Sequence, residues 1–110
     1  MSANELTVEI DLKNHGGPVF AGRERGKKVR EAVKLEDIDR DESKKVKVVI
    51  PDDTYSINSS FFLGLFGDSI RHAGSKDSFL RKFEFYAPGH FRPKIESYIS
   101  RALFERRGLL

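Results

Sequence analysis

The side chains with the clearest chemical potential are the adjacent hydroxyls of Ser59 and Ser60, preceded by the amide of Asn58 and followed by Phe61. They lie between a β-branched run and a segment with helical apolar spacing, which predicts a loop joining a strand to a helix. In open α/β sheets, the loop after the carboxyl end of a strand is the usual place for a functional site. The alternative is structural, because Asn58 or Ser59 can cap the helix by accepting a hydrogen bond from a free backbone N–H.

The other reactive residue types do not form the pattern of an enzyme. His15, His72 and His90 are widely separated in the sequence and predict neither a triad nor a metal site. The chain has no cysteine, which removes thiol nucleophiles and disulfides and fits a reducing cytoplasm. Residues 22–28 hold three residues between their glycines, one fewer than a nucleotide-binding phosphate loop requires. We therefore expect a chain without catalytic residues, cofactor or metal.

Positive charge is concentrated in the first predicted helix, in Arg23, Arg25, Lys27, Lys28 and Arg30. This candidate basic surface, which Arg101, Arg106 and Arg107 would extend, predicts nucleic-acid binding as an alternative function. A strongly acidic stretch at residues 36–42 follows directly, so the two signs alternate in blocks. Nucleic-acid-binding domains usually present one coherent basic face, and ordinary solvated surface is the simpler interpretation.

The length and composition fit one small domain that spans residues 1–110. Of the 110 residues, 38% are apolar, which is enough for a single core. No segment contains the run of about 18 to 20 apolar residues that crosses a bilayer. Residues 1–12 include acidic side chains and lack the apolar run of a signal peptide. These features predict a cytoplasmic protein.

Four segments have the pattern of strands. Residues 6–12 alternate apolar and polar side chains, which predicts a strand with one buried face. Val19-Phe20 is expected to fold back on this strand as a short hairpin at the sheet edge. The β-branched run at residues 46–50 predicts an interior strand that is covered on both faces and ends at Pro51. Phe83, Phe85 and Ala87 alternate again and predict the last strand.

Three segments have the pattern of helices. Residues 23–34 favour a helix with a thin apolar stripe, and residues 59–72 place apolar side chains on one helical face, with Gly74 just past the end. Gly64 and Gly67 inside this second helix predict close approach to a neighbouring backbone. The third helix has its stripe at Phe91, Ile95, Tyr98, Ile99, Ala102 and Leu103. The resulting order, β-β-α-β-α-β-α, predicts an α/β domain with about four strands in a mixed, largely parallel sheet and three helices.

Residues 57–67, Ile-Asn-Ser-Ser-Phe-Phe-Leu-Gly-Leu-Phe-Gly, resemble the signature of the STAS-like domain family of unknown function, found in bacteria and archaea. That family typically shows a strand, a short turn, Ser-Ser-Phe-Leu and then a helix containing Phe-Gly. Residues 22–33 are similar to its first helix and the approach to it. The resemblance covers about residues 19–104, and the Ser-Ser-Phe element with Phe-Gly behind it is its most specific part.

The resemblance implies a function, because the related STAS domains include the anti-sigma-factor antagonists. Those carry Asp-Ser-Ser-Gly or Asp-Ser-Thr-Gly at this junction, and a partner kinase phosphorylates the first serine. Ser59 corresponds to that serine and Asn58 to the aspartate, whereas Phe61 replaces the glycine. The resemblance thus implies a non-enzymatic regulatory module that binds a protein partner through Asn58, Ser59, Ser60 and Phe61. A histidine-kinase-type ATPase is the candidate partner.

Overall fold

The structure is a computed structural model that describes the backbone of residues 6–108 and the side chains of residues 6–105. The strands in this part of the chain are β1 (Leu6–Asp11), β2 (Val19–Phe20), β3 (Lys44–Val49), β4 (Ser56–Ile57) and β5 (Phe83–Tyr86). The helices are α1 (Arg23–Ala32), α2 (Leu35–Asp39), α3 (Ser59–Ala73), α4 (Lys76–Lys82) and α5 (Arg92–Gly108). Short 3-10 turns at Leu12–His15 and Gly89–Phe91 precede β2 and α5. The α/β class predicted from the sequence is confirmed.

The main sheet has three parallel strands in the order β1-β3-β5, with Val8 opposite Val46 and Val46 opposite Phe83. Strand β3 is therefore interior, as predicted. The expectation that it is covered on both faces is wrong, because Val46 and Val48 are buried while Lys47 between them is only half-buried. The alternation shows that the helices cover one face of the sheet and leave the other accessible.

The predicted hairpin of β1 and β2 is wrong, as is the single mixed sheet of four strands. Asp11 accepts a hydrogen bond from the backbone N–H of Lys13 (3.1 Å) and caps the 3-10 turn that follows β1. The chain then leaves the main sheet, and β2 pairs in parallel with β4, which places Phe20 opposite Ile57. A parallel pair needs a long connection. Here the connection consists of α1, α2 and β3, which lie between β2 and β4 in the sequence.

Helix α3 forms the centre of the core. Its residues Phe61–Gly67 and Ile70 are buried, and it packs against both α1 and α5. The phenylalanines of α3 meet those of α4 and β5: the ring centroids of Phe66 and Phe83 are 5.8 Å apart, and those of Phe79 and Phe83 are 4.5 Å apart. Aromatic pairs at such distances add to the stabilisation from buried apolar area. This packing holds α3, including its first residues, in a fixed position.

The predicted ends of α3 are confirmed within one residue. The Asn58 side chain accepts a hydrogen bond from the Phe61 N–H (2.9 Å), and Gly74 adopts a left-handed φ of 88° at the other end. Gly64 makes the predicted close approach, because a side-chain carbon there would overlap the Arg23 backbone. The same prediction for Gly67 is wrong, since its nearest neighbour is the Arg71 side chain.

Three short elements were not predicted: α2, β4 and α4. The acidic stretch contributes residues 36–39 to α2, which forms because Leu35 and Ile38 are buried in the core. The Lys82 ammonium group donates to the backbone carbonyls of Ile38 (2.5 Å) and Asp41 (2.9 Å) and holds the end of this helix. Residues 6–108 thus contain five helices rather than the predicted three. None of them is long and apolar enough to cross a membrane.

Candidate functional site

The parallel pair of β2 and β4 positions the serines. Residues 58–61, here called the serine junction, follow β4 directly, and the Asn58 N–H donates to the Phe20 carbonyl at the end of β2 (3.0 Å). Helix α1 begins at Arg23, three residues after Phe20, and α3 begins at Ser59. Because the strands are parallel, both helices start at the same end of the pair.

The serine junction has an accessible part and a buried part. Asn58 is exposed, whereas Ser59 and Ser60 are half-buried. Phe61 is 1% exposed, and its ring lies 5.2 Å from that of Phe20. The predicted surface therefore consists of the first three residues, and Phe61 belongs to the core because it lies on the helical face directed at β2. Ser59 and Ser60 lie between the exposed Asn58 and the buried Phe61, at the rim of the core.

Helix α5 borders the serine junction. The Tyr98 hydroxyl donates to the Ile57 carbonyl (2.8 Å), and one turn later the Arg101 guanidinium donates to the Ser59 hydroxyl oxygen (3.2 Å). Arg101 also lies 3.9 Å from the Glu105 carboxylate. From the sequence, Arg101 was predicted only as an extension of the basic surface. Its contact with Ser59 joins residues 42 positions apart, and no local pattern encodes such a contact.

The candidate basic surface is divided by the fold. Its members Arg23, Arg25, Lys27 and Lys28 are exposed. Arg30 instead turns inward: its guanidinium donates to the Asp39 carboxylate (2.7 Å), the Ser69 hydroxyl (2.9 Å) and the Leu65 carbonyl (3.0 Å). Only 12% of the Arg30 side chain and 7% of the Asp39 side chain are accessible. Arg30 therefore joins α1 to α2 and α3 and does not share the surface of the other four. The side chains of Arg106 and Arg107 lie outside the described residues.

Helix α1, which carries the exposed basic residues, packs against the helix that starts at the serine junction. A side-chain carbon built on Gly64 would stand 3.2 Å from the Arg23 α-carbon. One built on Gly26 would stand 2.9 Å from the Leu65 amide nitrogen and would overlap the Phe61 carbonyl oxygen. The first turn of α1 therefore packs directly on the first turns of α3, which start at the serine junction.

A concave region separate from the serine junction lies at the carboxyl ends of the three main strands. It is an open depression of about 650 Å³, and its lining includes Asp11, Asp52, Tyr86 and Arg92. A hydrogen bond to the Glu84 carboxylate, together with its negative charge, raises the pKa of Tyr86. This region was not predicted from the sequence, because it combines the ends of three separate strands. Within residues 6–108, no three His, Asp or Glu side chains come together as a metal site would require.

Comparison with known proteins assigns no family. No protein-family model, curated protein or solved structure matches the chain. The STAS-like resemblance of residues 19–104 therefore stays a prediction from the sequence.

Proposed function

We propose that the chain is a non-enzymatic regulatory domain of the STAS-like type, acting in a prokaryotic cytoplasm. It binds a protein partner through the exposed part of the serine junction, Asn58, Ser59 and Ser60. Ser59 is the switchable residue, and a histidine-kinase-type ATPase is the candidate partner that phosphorylates it. The partner and the kinase follow from the resemblance, whereas the choice of surface is supported by the geometry.

The observation that carries the proposal is the position of Ser59 at the boundary between surface and core. Ser59, the first residue of α3, is half-buried, and Phe61, Phe62 and Leu63 just after it are buried. A partner can thus reach a hydroxyl whose backbone is held in place by the core. A group added there changes the surface without displacing core side chains.

The proposed switch is a phosphoryl transfer from ATP bound by the partner. The Ser59 hydroxyl oxygen forms a bond to the γ-phosphorus, the bond to the leaving ADP breaks, and the hydroxyl proton passes to a base of the partner. The product adds about 1.5 to 2 negative charges at neutral pH. The positive end of the α3 dipole tolerates this charge, so the modification alters docking rather than unfolding the domain.

Affinity capture with mass spectrometry, with and without ATP, tests the proposal. We expect wild type to retain a protein that Ser59→Glu loses at least tenfold, and ATP to place phosphate on Ser59. Ser97→Glu is the matched control, because Ser97 is an exposed serine of α5, and it should retain the same protein. If Ser59→Glu leaves binding to every retained protein unchanged, the serine junction is not the docking surface.

Nucleic-acid binding is the second candidate function, favoured by the four exposed cations at the start of α1. Neutralising phosphates releases counterions, so such binding weakens steeply with salt. A gel shift at two salt concentrations would compare wild type with the double variant Arg23→Glu/Lys27→Glu and with Lys94→Glu, an exposed cation of α5. Three results together would favour this candidate over the regulatory domain. Wild type retains DNA in a salt-sensitive way, only the double variant loses this retention, and the capture experiment yields no protein partner.

A further inference from the structure

We infer that Arg101 of α5 receives the phosphate on Ser59, so that modification is transmitted to a helix of the domain itself as well as to the partner. This inference rests on the proposed function, because it needs Ser59 to be modified. It assigns a role to a residue that the resemblance does not mark and that lies outside the serine junction.

The distance between the two side chains carries the inference. The Arg101 guanidinium nitrogen lies 3.2 Å from the Ser59 hydroxyl oxygen. In phosphoserine the phosphorus is bonded to that same oxygen, so its three anionic oxygens are placed beside the guanidinium. Arginine offers a planar fork of N–H donors that matches two phosphate oxygens at once, and such charge-assisted pairs are about twice as strong as neutral ones. The modification would convert a hydrogen bond from a cation to a neutral hydroxyl into an ion pair.

The backbone of Arg101 is already held in position for this contact. Ile99 and Ala102, on either side of it, are fully buried and fix α5 against the core. One turn earlier, Tyr98 bonds the Ile57 carbonyl two residues before Ser59. Forming the ion pair therefore requires movement of the Arg101 side chain only.

The present partner of Arg101 competes weakly for the guanidinium. Arg101 and Glu105 lie 3.9 Å apart, with 57% and 38% of their side chains accessible. Exposed ion pairs of this kind contribute about 0 to 1 kcal/mol. A doubly charged phosphate at Ser59 would draw Arg101 from Glu105, and the start of α3 would be joined to α5 by an ion pair. Reduced hydrogen exchange in α5 is the expected consequence.

A phosphorus NMR titration tests the contact in the full 110-residue chain with phosphoserine encoded at position 59. The second pKa of phosphoserine is about 6. We expect the Arg101 charge to lower this pKa by about half a unit relative to Arg101→Gln, since an opposite charge within reach favours the charged form. Arg101→Lys keeps the charge without the fork and should give an intermediate value. The control Arg92→Gln removes an exposed charge from the same helix and should match wild type.

Equal phosphate pKa values in wild type and Arg101→Gln would overturn the inference, as would a phosphoserine chain that circular dichroism shows to be unfolded. Neither outcome bears on partner binding, which the capture experiment with unmodified variants decides. A pKa shift that depends on Arg101 in a chain that captures no partner would support the contact and contradict the proposed function.

Discussion

Gly26 of α1 and Gly64 of α3 meet where the two helices cross. A side-chain carbon on Gly26 would lie 3.1 Å from the Gly64 carbonyl carbon, and one on Gly64 would overlap the Arg23 carbonyl oxygen. Backbone thus packs directly on backbone at this crossing, which brings α1 against the first turns of α3. The arrangement depends on the absence of side chains at both positions.

Gly26→Ala and Gly64→Ala should each lower the free energy of unfolding. Alanine is favoured over glycine inside a helix by about 1 kcal/mol, but the added methyl group overlaps backbone atoms that cannot move independently. We expect a net loss of about 1 to 3 kcal/mol, typical of overpacking. Urea unfolding measures the change. Gly89→Ala is the control, because nothing lies within 4 Å of the added carbon; an equal loss there would show that the helix crossing is not the cause.

Arg30→Ala should be strongly destabilising. The substitution would leave the Asp39 carboxylate buried with only the Ser69 hydroxyl as a side-chain donor (2.9 Å), and loss of one partner from a buried ion pair costs about 3 to 5 kcal/mol. Thermal or urea unfolding gives the value. Arg40→Ala removes an exposed arginine paired with Asp37 (3.0 Å) and should change stability by less than about 1 kcal/mol. Similar losses in the two variants would contradict a structural role for the buried pair.

Asp68 should give stability a small dependence on acid pH. A hydrogen bond from Arg71 (2.7 Å) lowers the pKa of Asp68 below the ordinary value of 3.8. The carboxylate therefore stabilises the fold above pH 3.8, and this contribution is lost as the pH falls through the lowered pKa. Because 70% of the side chain is accessible, the effect should stay below about 1 kcal/mol. Between pH 6 and pH 3, the free energy of unfolding measured in urea should fall less steeply for Asp68→Asn than for wild type. Asp77→Asn, which removes an exposed carboxylate, is the control.

Tyr98→Phe should loosen α5 from the serine junction. The variant keeps the ring, which lies 5.2 Å from that of Phe62, but removes the hydroxyl that bonds the Ile57 carbonyl. The loss should be about 0.5 to 1.5 kcal/mol, the net worth of one hydrogen bond. Hydrogen exchange would show faster exchange near residues 95–104. Tyr55→Phe, at a side chain that is 80% exposed, should leave exchange unchanged, and faster exchange in that variant would assign the effect to something other than the Ile57 contact.

The elements that the sequence predicted are those with a strong local period. The apolar stripe of α3, its Asn58 cap and the terminal Gly74 are all readable within about 17 residues of sequence, and each is present. The elements that were missed are short. Helix α2 has five residues and β4 has two, so neither is long enough to repeat its apolar period, and both form because tertiary contacts stabilise them.

Only part of the candidate site could be predicted from the sequence, for the same reason. Ser59 and Ser60 follow from their place between a strand and a helix, and they lie at an accessible rim. The inward turn of Arg30 and the contact of Arg101 with Ser59 depend on partners 39 and 42 positions away. The type of a residue and its neighbours in the sequence do not determine which distant group its side chain will contact.

The sequence by itself determined the α/β class, the places of the long helices and the interior strand, and the polar cluster at the start of α3, because periodicity and capping are properties of neighbouring residues. Only the tertiary structure decided that β2 leaves the main sheet to pair with β4, that one face of the sheet stays accessible, and that Arg101 reaches Ser59. Strand partners and side-chain contacts across the fold are selected by the packing of the whole core, in which many weak long-range interactions outweigh each local preference.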